Sequence, residues 1–173
     1  MRKARELIGL NVLTVEDGRQ VGQVKDVLLD STWNLQGVVL EAKMWFSAIR
    51  YIRWSDIVAA GDDAVTITND SVIREFEEDA QLHALLEGSR CIKGLPVVTA
   101  GGCKLGVVED VYFDPNWGTQ VVGYELSEGF LSDLKDGRKW LPMPATATKG
   151  ADAIIVPVHC IEAVEELFVS KEE

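Results

Sequence analysis

Four aspartates at matched positions are the strongest candidates for chemistry in this 173-residue sequence. Asp26 and Asp30 lie four residues apart in the first half, and Asp110 and Asp114 repeat that spacing in the second half. Paired carboxylates can act as a general acid and a general base, or they can bind a cation. Acid–base catalysis also needs a cleft and a perturbed pKa. We therefore favour a structural role, in which each aspartate accepts hydrogen bonds from backbone amides at a turn.

Histidine and cysteine offer little further chemistry. The chain has two histidines and three cysteines, which are His83, His159, Cys91, Cys103 and Cys160. No closely spaced pair has the separation that zinc sites use, and the odd number of cysteines disfavours a disulfide framework. We therefore expect no catalytic residue, no bound metal and no cofactor.

The charge balance limits the classes of partner. The chain has 17 Lys and Arg against 28 Asp and Glu, for a net charge of -11. Such a charge repels phosphate backbones and anionic bilayers, so the sequence carries no strong nucleic-acid signal. The apolar runs are too short for a transmembrane span or a signal peptide. We expect a cytoplasmic protein, with any contact at the membrane periphery made through a partner.

An internal duplication organises the chain. The motif Gly22-x-Val24-x-Asp26-Val27-x-x-Asp30-x-x-Trp33 recurs as Gly106-x-Val108-x-Asp110-Val111-x-x-Asp114-x-x-Trp117, with every named residue type identical. We interpret the repeated residues as those that the fold requires, with the two tryptophans covering the hydrophobic end of each unit. The eight principal repeat positions are Gly22, Asp26, Asp30, Trp33, Gly106, Asp110, Asp114 and Trp117.

The apolar residues fall in short β-branched runs separated by Gly, Asp and Asn, which is typical of small antiparallel sheets and barrels. The strands predicted in the first half are Asn11–Thr14, Gln20–Leu29, Gln36–Ala42, Ile49–Trp54 and Ala64–Thr68. The second half repeats this order. The fold class is therefore all-β, mainly β with short helices, with two small barrels in tandem.

Two acidic segments have helical spacing. Apolar residues recur at helical intervals from Val72 to Leu86 and again from Ile161 to Phe168. These segments predict a linker helix and a C-terminal helix. The expected organisation is a first barrel over residues 1–75, a helical linker over 76–89, and a second barrel with its C-terminal helix over 90–173.

The repeated residues resemble the PRC-barrel family. The resemblance rests on the opening Gly-Leu-x-Val, the Gly-x-Val-x-Asp-Val-x-x-Asp core and the later Gly-x-Asp-Ala-Val/Ile, over about residues 5–70 and 90–158. Tandem pairs of this kind occur in bacterial proteins of the YrrD-like type. Similar barrels form the cytoplasmic domain of the photosynthetic reaction centre H subunit and the C-terminal domain of the ribosome maturation factor RimM. The resemblance implies interaction modules that share no catalytic motif.

Residues that differ between the repeats are better candidates for specific function. Met44, Trp45 and Phe46 lie between two predicted strands, where a hairpin tip is usually polar, and Phe130 and Leu131 lie in a longer loop of the second copy. Exposed apolar tips of this kind are candidate contacts with a partner. The alternative is that they pack between the barrels or in a homo-oligomer.

The sequence thus favours a non-catalytic adaptor that binds a protein partner. One alternative is an accessory factor for ribosome assembly or RNA processing, resembling RimM in its barrel, whose binding to ribosomal subunits would weaken with salt. The other is a metal-dependent enzyme, which requires the duplicated aspartates to converge in a cleft.

Overall fold

The structure is a computed structural model that describes residues 1–79, 81–116 and 118–166. The described chain folds into two eight-stranded sheets joined by turns and short helical elements. Strands in the first half are β1 (Arg2–Lys3), β2 (Asn11–Thr14), β3 (Gln20–Asp30), β4 (Leu35–Leu40), β5 (Arg50–Arg53), β6 (Ile57–Ala60), β7 (Ala64–Ile67), β8 (Arg74–Glu75) and β9 (Leu82–Ala84). Strands in the second half are β10 (Pro96–Thr99), β11 (Lys104–Phe113), β12 (Val121–Ser127), β13 (Lys139–Pro142), β14 (Thr148–Lys149), β15 (Ile154–Val156) and β16 (Glu165–Glu166).

The helical elements are short. They are the α-helices α1 (Phe130–Asp136) and α2 (Cys160–Ala163) and the 3-10 turns Ala4–Leu7, Trp54–Asp56 and Asp70–Val72. The sequence did not predict α1, which occupies the loop between β12 and β13. The predicted fold class, mainly β with short helices, is confirmed.

The two sheets have the same topology. The first follows the order β6-β7-β2-β3-β4-β5-β8, and the second follows β14-β15-β10-β11-β12-β13-β16. Pairing is antiparallel except between β2 and β7 and between β10 and β15, which are parallel. We call the first sheet the first barrel and the second sheet the second barrel. Each of the seven strands in the first order therefore has an equivalent in the second, as the duplication in the sequence predicts.

Turn residues close the strands as their chemistry requires. Gly18, in the hairpin between β2 and β3, has φ 64°, and its N–H donates to the Thr14 carbonyl at 2.8 Å. Glycine adopts this left-handed conformation without a steric penalty. Trp33, in the turn after β3, has φ 62° although it is not a glycine, and its side chain is only 5% exposed. Burial of the indole holds that strained turn in place.

The remaining strand of each sheet leads directly into the other barrel. β9, which directly precedes the second barrel, pairs with β3 of the first barrel, with Ala84 opposite Leu28. β1, which precedes the first barrel, pairs with β11 of the second barrel, with Lys3 opposite Tyr112. The two barrels thus exchange their leading strands reciprocally.

The exchange has approximate twofold symmetry. Asn34 and Gln120, each three residues before the matched glycines Gly37 and Gly123, form a β-bridge with each other. Contact between equivalent residues is the signature of a twofold interface. Two hydrogen bonds flank the bridge and are themselves equivalent: the Leu35 N–H donates to the Thr119 carbonyl at 2.7 Å, and the Val121 N–H donates to the Trp33 carbonyl at 2.9 Å.

The predicted linker helix is wrong. Arg74–Glu75 and Leu82–Ala84 are strands, and Leu85 is fully buried in the core. The segment's N–H groups bond to strand β3 and to the Asp26 carboxylate, so tertiary pairing replaces the local bonds of a helix. The spacing of apolar residues in this segment therefore reflects contacts made along an extended chain.

The predicted C-terminal helix is largely wrong. Helix α2 has four residues and ends at Ala163, because Val164 is extended with φ -71° and ψ 125° and leads into β16. β16 pairs with β13, which satisfies backbone groups that a longer helix would have bonded internally. Phe168, the last apolar residue of the predicted stripe, lies outside the described residues.

Candidate functional site

Asp26 holds the chain that leads away from the exchanged strand β9. Its carboxylate is 3% exposed and accepts backbone N–H groups from Val27 at 2.8 Å, Leu85 at 3.1 Å, Leu86 at 3.1 Å and Glu87 at 3.0 Å. Burial raises the pKa of this carboxyl, and the N–H groups oppose that rise. The side chain thus bonds three consecutive amides, of which only Leu85 also donates to a strand, to the Val27 carbonyl of β3 at 3.1 Å.

Asp110 has the equivalent task in the second barrel. It is 2% exposed and accepts the N–H of Val111 at 2.8 Å and of Arg5, just after β1, at 3.3 Å. The Arg5 guanidinium lies 3.9 Å from the second carboxylate oxygen. Burial raises the pKa of Asp110 to about 6, against the bond from Val111 and the charge of Arg5. Both matched aspartates therefore anchor the chain that follows an exchanged strand.

The second pair of aspartates closes turns. Asp30 accepts the N–H groups of Thr32 at 2.9 Å and Asn34 at 3.0 Å, and Asp114 accepts the N–H of Asn116 at 2.9 Å. Burial favours a higher pKa for Asp30, but the hydrogen bonds from Asn34 and Thr32 outweigh it and lower that pKa. Trp117, which follows Asp114 in the motif, lies outside the described residues. Across residues 1–79, 81–116 and 118–166, no group of three or more His, Cys, Asp or Glu side chains could hold a metal ion.

The matched glycines lie where strands approach closely. A Cβ on Gly106, which has φ 148°, would lie 2.9 Å from the Ser127 carbonyl oxygen. A Cβ on Gly22 would lie 3.1 Å from the Leu40 side chain. Each glycine stands beside a register shift between the first two strands of its barrel, where a bulge bends the ladder. Glycine at these two positions therefore allows the close approach of neighbouring strands.

A charged network covers one face of the second barrel. Glu125, 1% exposed, accepts the Tyr112 hydroxyl at 2.7 Å and pairs with Lys3 at 2.8 Å and with Arg138. Burial favours a higher pKa for Glu125, but its bonds to Lys3, Arg138 and Tyr112 outweigh burial and lower the pKa. Burial, followed by the hydrogen bond to Glu125, raises the pKa of the Tyr112 hydroxyl. A buried carboxylate is stable here because three donors surround it.

The first barrel has apolar residues at the same positions. Val39 lies opposite Asp26 across β3 and β4, as Glu125 lies opposite Asp110 across β11 and β12. The same strand pairing makes two further positions equivalent, one in β3 and β11 and one just before β5 and β13. The three replacements are Leu28 for Tyr112, Val39 for Glu125 and Ile49 for Arg138.

A pocket of about 480 Å³ opens at this apolar face. We call it the first-barrel pocket. Its walls are β3, β4, β9 and the segment around Phe76, and Leu28, Val39 and Leu82 are among the apolar residues that line it. Phe76 is held by an edge contact with Tyr51, with ring centroids 5.4 Å apart. The charged network of one barrel is thus replaced by an open apolar pocket in the other.

Next to the pocket, the loop between β4 and β5 presents three exposed apolar side chains. Met44 is 55% exposed, Trp45 is 94% exposed and Phe46 is 64% exposed. The Trp45 and Phe46 rings contact each other edge to face at 5.4 Å. We call these three residues the apolar tip. Phe130 and Leu131, the other predicted contacts, begin α1, and their side chains lie outside the description, so they stay a prediction.

Comparison with known proteins decides the family. The PRC-barrel domain matches this chain twice, over residues 1–73 and 87–159. The chain belongs to the PRC-barrel family. It is also similar to the uncharacterized protein YrrD of Bacillus subtilis (strain 168), at 25% identity over 142 residues, which cover 80% of this chain and 77% of the relative. The tandem PRC-barrels expected from the sequence are confirmed.

None of the helices in the described ranges has the length and apolar character needed to cross a membrane.

The contrast between the faces of the two PRC-barrels was missed from the sequence alone. The aligned segments Gly37-Val38-Val39-Leu40 and Gly123-Tyr124-Glu125-Leu126 contain the signal, because Glu125 breaks an otherwise apolar strand. A charge at a buried strand position predicts internal partners, which are Lys3 and Arg138 here.

Proposed function

We propose that this tandem PRC-barrel protein is a non-catalytic interaction module whose apolar tip binds a protein partner. The observation that carries the proposal is the 94% exposure of Trp45 between two further exposed apolar residues, Met44 and Phe46. Tryptophan is enriched at the energetic centres of protein interfaces, because an indole gains much when it leaves water. Three such side chains together form a patch that water solvates poorly.

The bonds of the aspartates support the non-catalytic part of the proposal. Asp26 and Asp110 are almost wholly buried and accept backbone N–H groups, while Asp30 and Asp114 close turns. A general acid or base has to reach a substrate proton directly or through one water. These carboxylates instead hold the chain.

Ion pairs of four basic side chains favour a protein partner over RNA. Lys3 and Arg138 pair with Glu125, Arg53 pairs with Asp56 at 3.2 Å, and Arg2 pairs with Asp62 at 2.9 Å. Basic groups neutralised in this way contribute little to phosphate binding, and the net charge of -11 opposes it further. The RimM-like alternative is therefore less favoured. A cytoplasmic location, with any membrane contact made through the partner, belongs to the same proposal.

The test is capture of partners by the full chain from a native lysate at low and high salt, with membrane, ribosomal and soluble fractions kept separate. Trp45→Ala should lose the captured protein while its Tm stays within error of the parent, because Trp45 has few contacts to lose. Val58→Ala is the matched control, since Val58 is also apolar and 57% exposed. The control should keep the partner.

Two outcomes would contradict the proposal. One is a partner that Trp45→Ala still captures at full yield. The other is salt-sensitive capture of ribosomal subunits by the parent and by Trp45→Ala alike, which would support the ribosomal alternative.

A further inference from the structure

The first-barrel pocket has the size and lining of a small-molecule site. Its volume of about 480 Å³ lies within the range of roughly 300–1,000 Å³ found for ligand pockets. Leu28 and Val39 at its base are 2% and 8% exposed, and Leu82 and Phe76 form its outer wall. A pocket lined in this way favours a ligand that has a hydrocarbon portion.

The pocket is not a requirement of the fold. The second barrel builds the same strands and fills the equivalent face with Tyr112, Glu125 and Arg138. The first barrel has no such network, and the pocket lies over the largely buried side chains of Leu28 and Val39. Open apolar volume costs packing energy, because its lining lacks contacting atoms. A bound ligand would restore those contacts.

Charge at the pocket selects the kind of ligand. Lys25 is neutralised by Glu87 at 3.1 Å, and the Asp26 carboxylate is occupied by backbone N–H groups. Of the other charged lining residues, the carboxylates of Glu78 and Asp79 outnumber the guanidinium of Arg90, and Asp79 accepts one backbone N–H, from Gln81 at 2.9 Å, at its Oδ1. The protein as a whole carries a charge of -11, so an anionic ligand is repelled and a cation is attracted.

We infer that the first-barrel pocket binds a small organic cation, an amine with a hydrocarbon body. The hydrocarbon would lie against Leu28, Val39 and Leu82, and the ammonium group would lie beside the carboxylates of Glu78 and Asp79. This site does not require the protein partner proposed for the apolar tip, so each can fail without the other.

The test uses the full chain and two probes of equal length and opposite charge, decylammonium and decanoate, both below their micellar concentrations. Isothermal titration calorimetry should show saturable binding of decylammonium. Decanoate should bind at least about tenfold more weakly, the scale of one charge-assisted hydrogen bond. Backbone amide shifts of the parent protein should change at Leu28 and Ala84, which lie opposite each other in the pocket wall.

Two variants separate shape from charge. Ala84→Phe fills the pocket and should reduce decylammonium binding by at least about tenfold, as expected when a ligand's apolar contacts are displaced. Ala59→Phe adds the same ring at an exposed position of β6 outside the pocket and should bind as the parent does. The double variant Glu78→Gln/Asp79→Asn should weaken decylammonium binding and leave decanoate binding unchanged or stronger.

The results that would overturn the inference are the following. Binding of decylammonium that survives Ala84→Phe, or shifts confined to residues outside the pocket, would place the amine elsewhere. Equal binding of the two probes, unaffected by the Glu78→Gln/Asp79→Asn change, would remove the preference for a cation. Failure of decylammonium to bind the folded parent protein would remove the site. None of these results bears on capture through Trp45.

Discussion

The indole of Trp33, from the first barrel, meets the ring of Tyr124, from the second, edge to face with centroids 5.1 Å apart. The Trp33 Nε1–H also donates to the Ala147 carbonyl of the second barrel at 3.3 Å. Both rings belong to one continuous core cluster that contains residues of both repeats. The barrels therefore share a core, and we expect the chain to unfold in a single cooperative transition.

Replacing Trp33 tests this shared core. Trp33→Ala should lower the free energy of unfolding by about 3–5 kcal/mol, the usual cost of removing a buried tryptophan. Trp33→Gly should be less destabilised than the alanine variant, by up to about 1 kcal/mol, because glycine tolerates φ 62°. Urea denaturation followed by circular dichroism measures both. Separation of either unfolding curve into two transitions would show that the barrels are energetically independent.

The two anchoring aspartates should respond differently to amide substitution. Asp26 uses both carboxylate oxygens, since the Leu86 and Glu87 N–H groups reach its Oδ2 at 3.1 Å and 3.0 Å. Asp26→Asn places an NH₂ group against those donors and should cost about 2–3 kcal/mol. Asp110 receives both of its backbone N–H bonds at Oδ1, which an asparagine retains. At pH 7, Asp110→Asn should therefore cost less than Asp26→Asn in thermal or urea denaturation, and equal losses would contradict this assignment.

The pKa of Asp110 predicts a pH dependence. Burial raises this pKa from 3.8 to about 6, so in the folded state the carboxyl binds a proton more readily than in the unfolded state. The contribution of Asp110 to stability should therefore increase as the pH falls through 6 and level off below about 4. Asp110→Asn lacks this contribution. The difference in unfolding free energy between parent and variant, measured across this range, should change in the parent's favour toward acid pH, and a flat difference would refute the shift.

The ion pairs of Glu125 predict unequal roles for its two cations. Arg138 pairs with Glu125 and also lies 3.6 Å from Asp133 and 3.9 Å from Glu109, whereas Lys3 pairs with Glu125 alone among the ion pairs of the described chain. Arg138→Met should cost about 1–3 kcal/mol and Lys3→Met less than about 1 kcal/mol, because Arg138 neutralises two further carboxylates besides Glu125 and Lys3 neutralises none. Urea denaturation measures both variants. A larger loss for Lys3→Met would show that the strand exchange, and not Arg138, neutralises Glu125.

His83 on β9 predicts a loss of stability at acid pH. Burial lowers its pKa, and the charges of Lys149 and Arg90 lower it further, against a smaller opposite effect of Asp30. The unfolded chain therefore binds a proton near pH 6.5 that the folded chain does not, so stability should decrease as the pH falls below this value. His83→Leu should remove this component. If parent and variant lose stability in parallel between pH 7 and about pH 5, His83 does not titrate as expected.

Local sequence patterns predicted those parts of the fold that depend on interactions between residues close together in the sequence. The repeated motif, the turn at Gly18 and the runs of β-branched residues identified two equivalent barrels. The same approach was wrong between Val72 and Leu86, where apolar residues at helical spacing lie along an extended segment. The bonds that determine this segment come from Asp26, about sixty residues earlier, and no local pattern records them.

The candidate site was predictable only in part. Met44, Trp45 and Phe46 stood out because apolar residues are unexpected in a hairpin tip, and their side chains are exposed. The pocket could not be predicted, because Leu28 and Val39 have the types of ordinary core residues. Their significance depends on the open space beside them and on comparison with Tyr112 and Glu125.

The reciprocal placement of β1 and β9 bears on how this protein arose. A single repeat on its own would have one leading strand without a sheet and one strand position unfilled. Two separate copies satisfy both needs by exchanging those strands about a twofold axis, as domain-swapped dimers do. The arrangement of this chain is therefore that of an ancestral homodimer whose two subunits are joined in one polypeptide. Fusion of the two genes would have replaced an association that depends on concentration with one that the covalent link makes permanent.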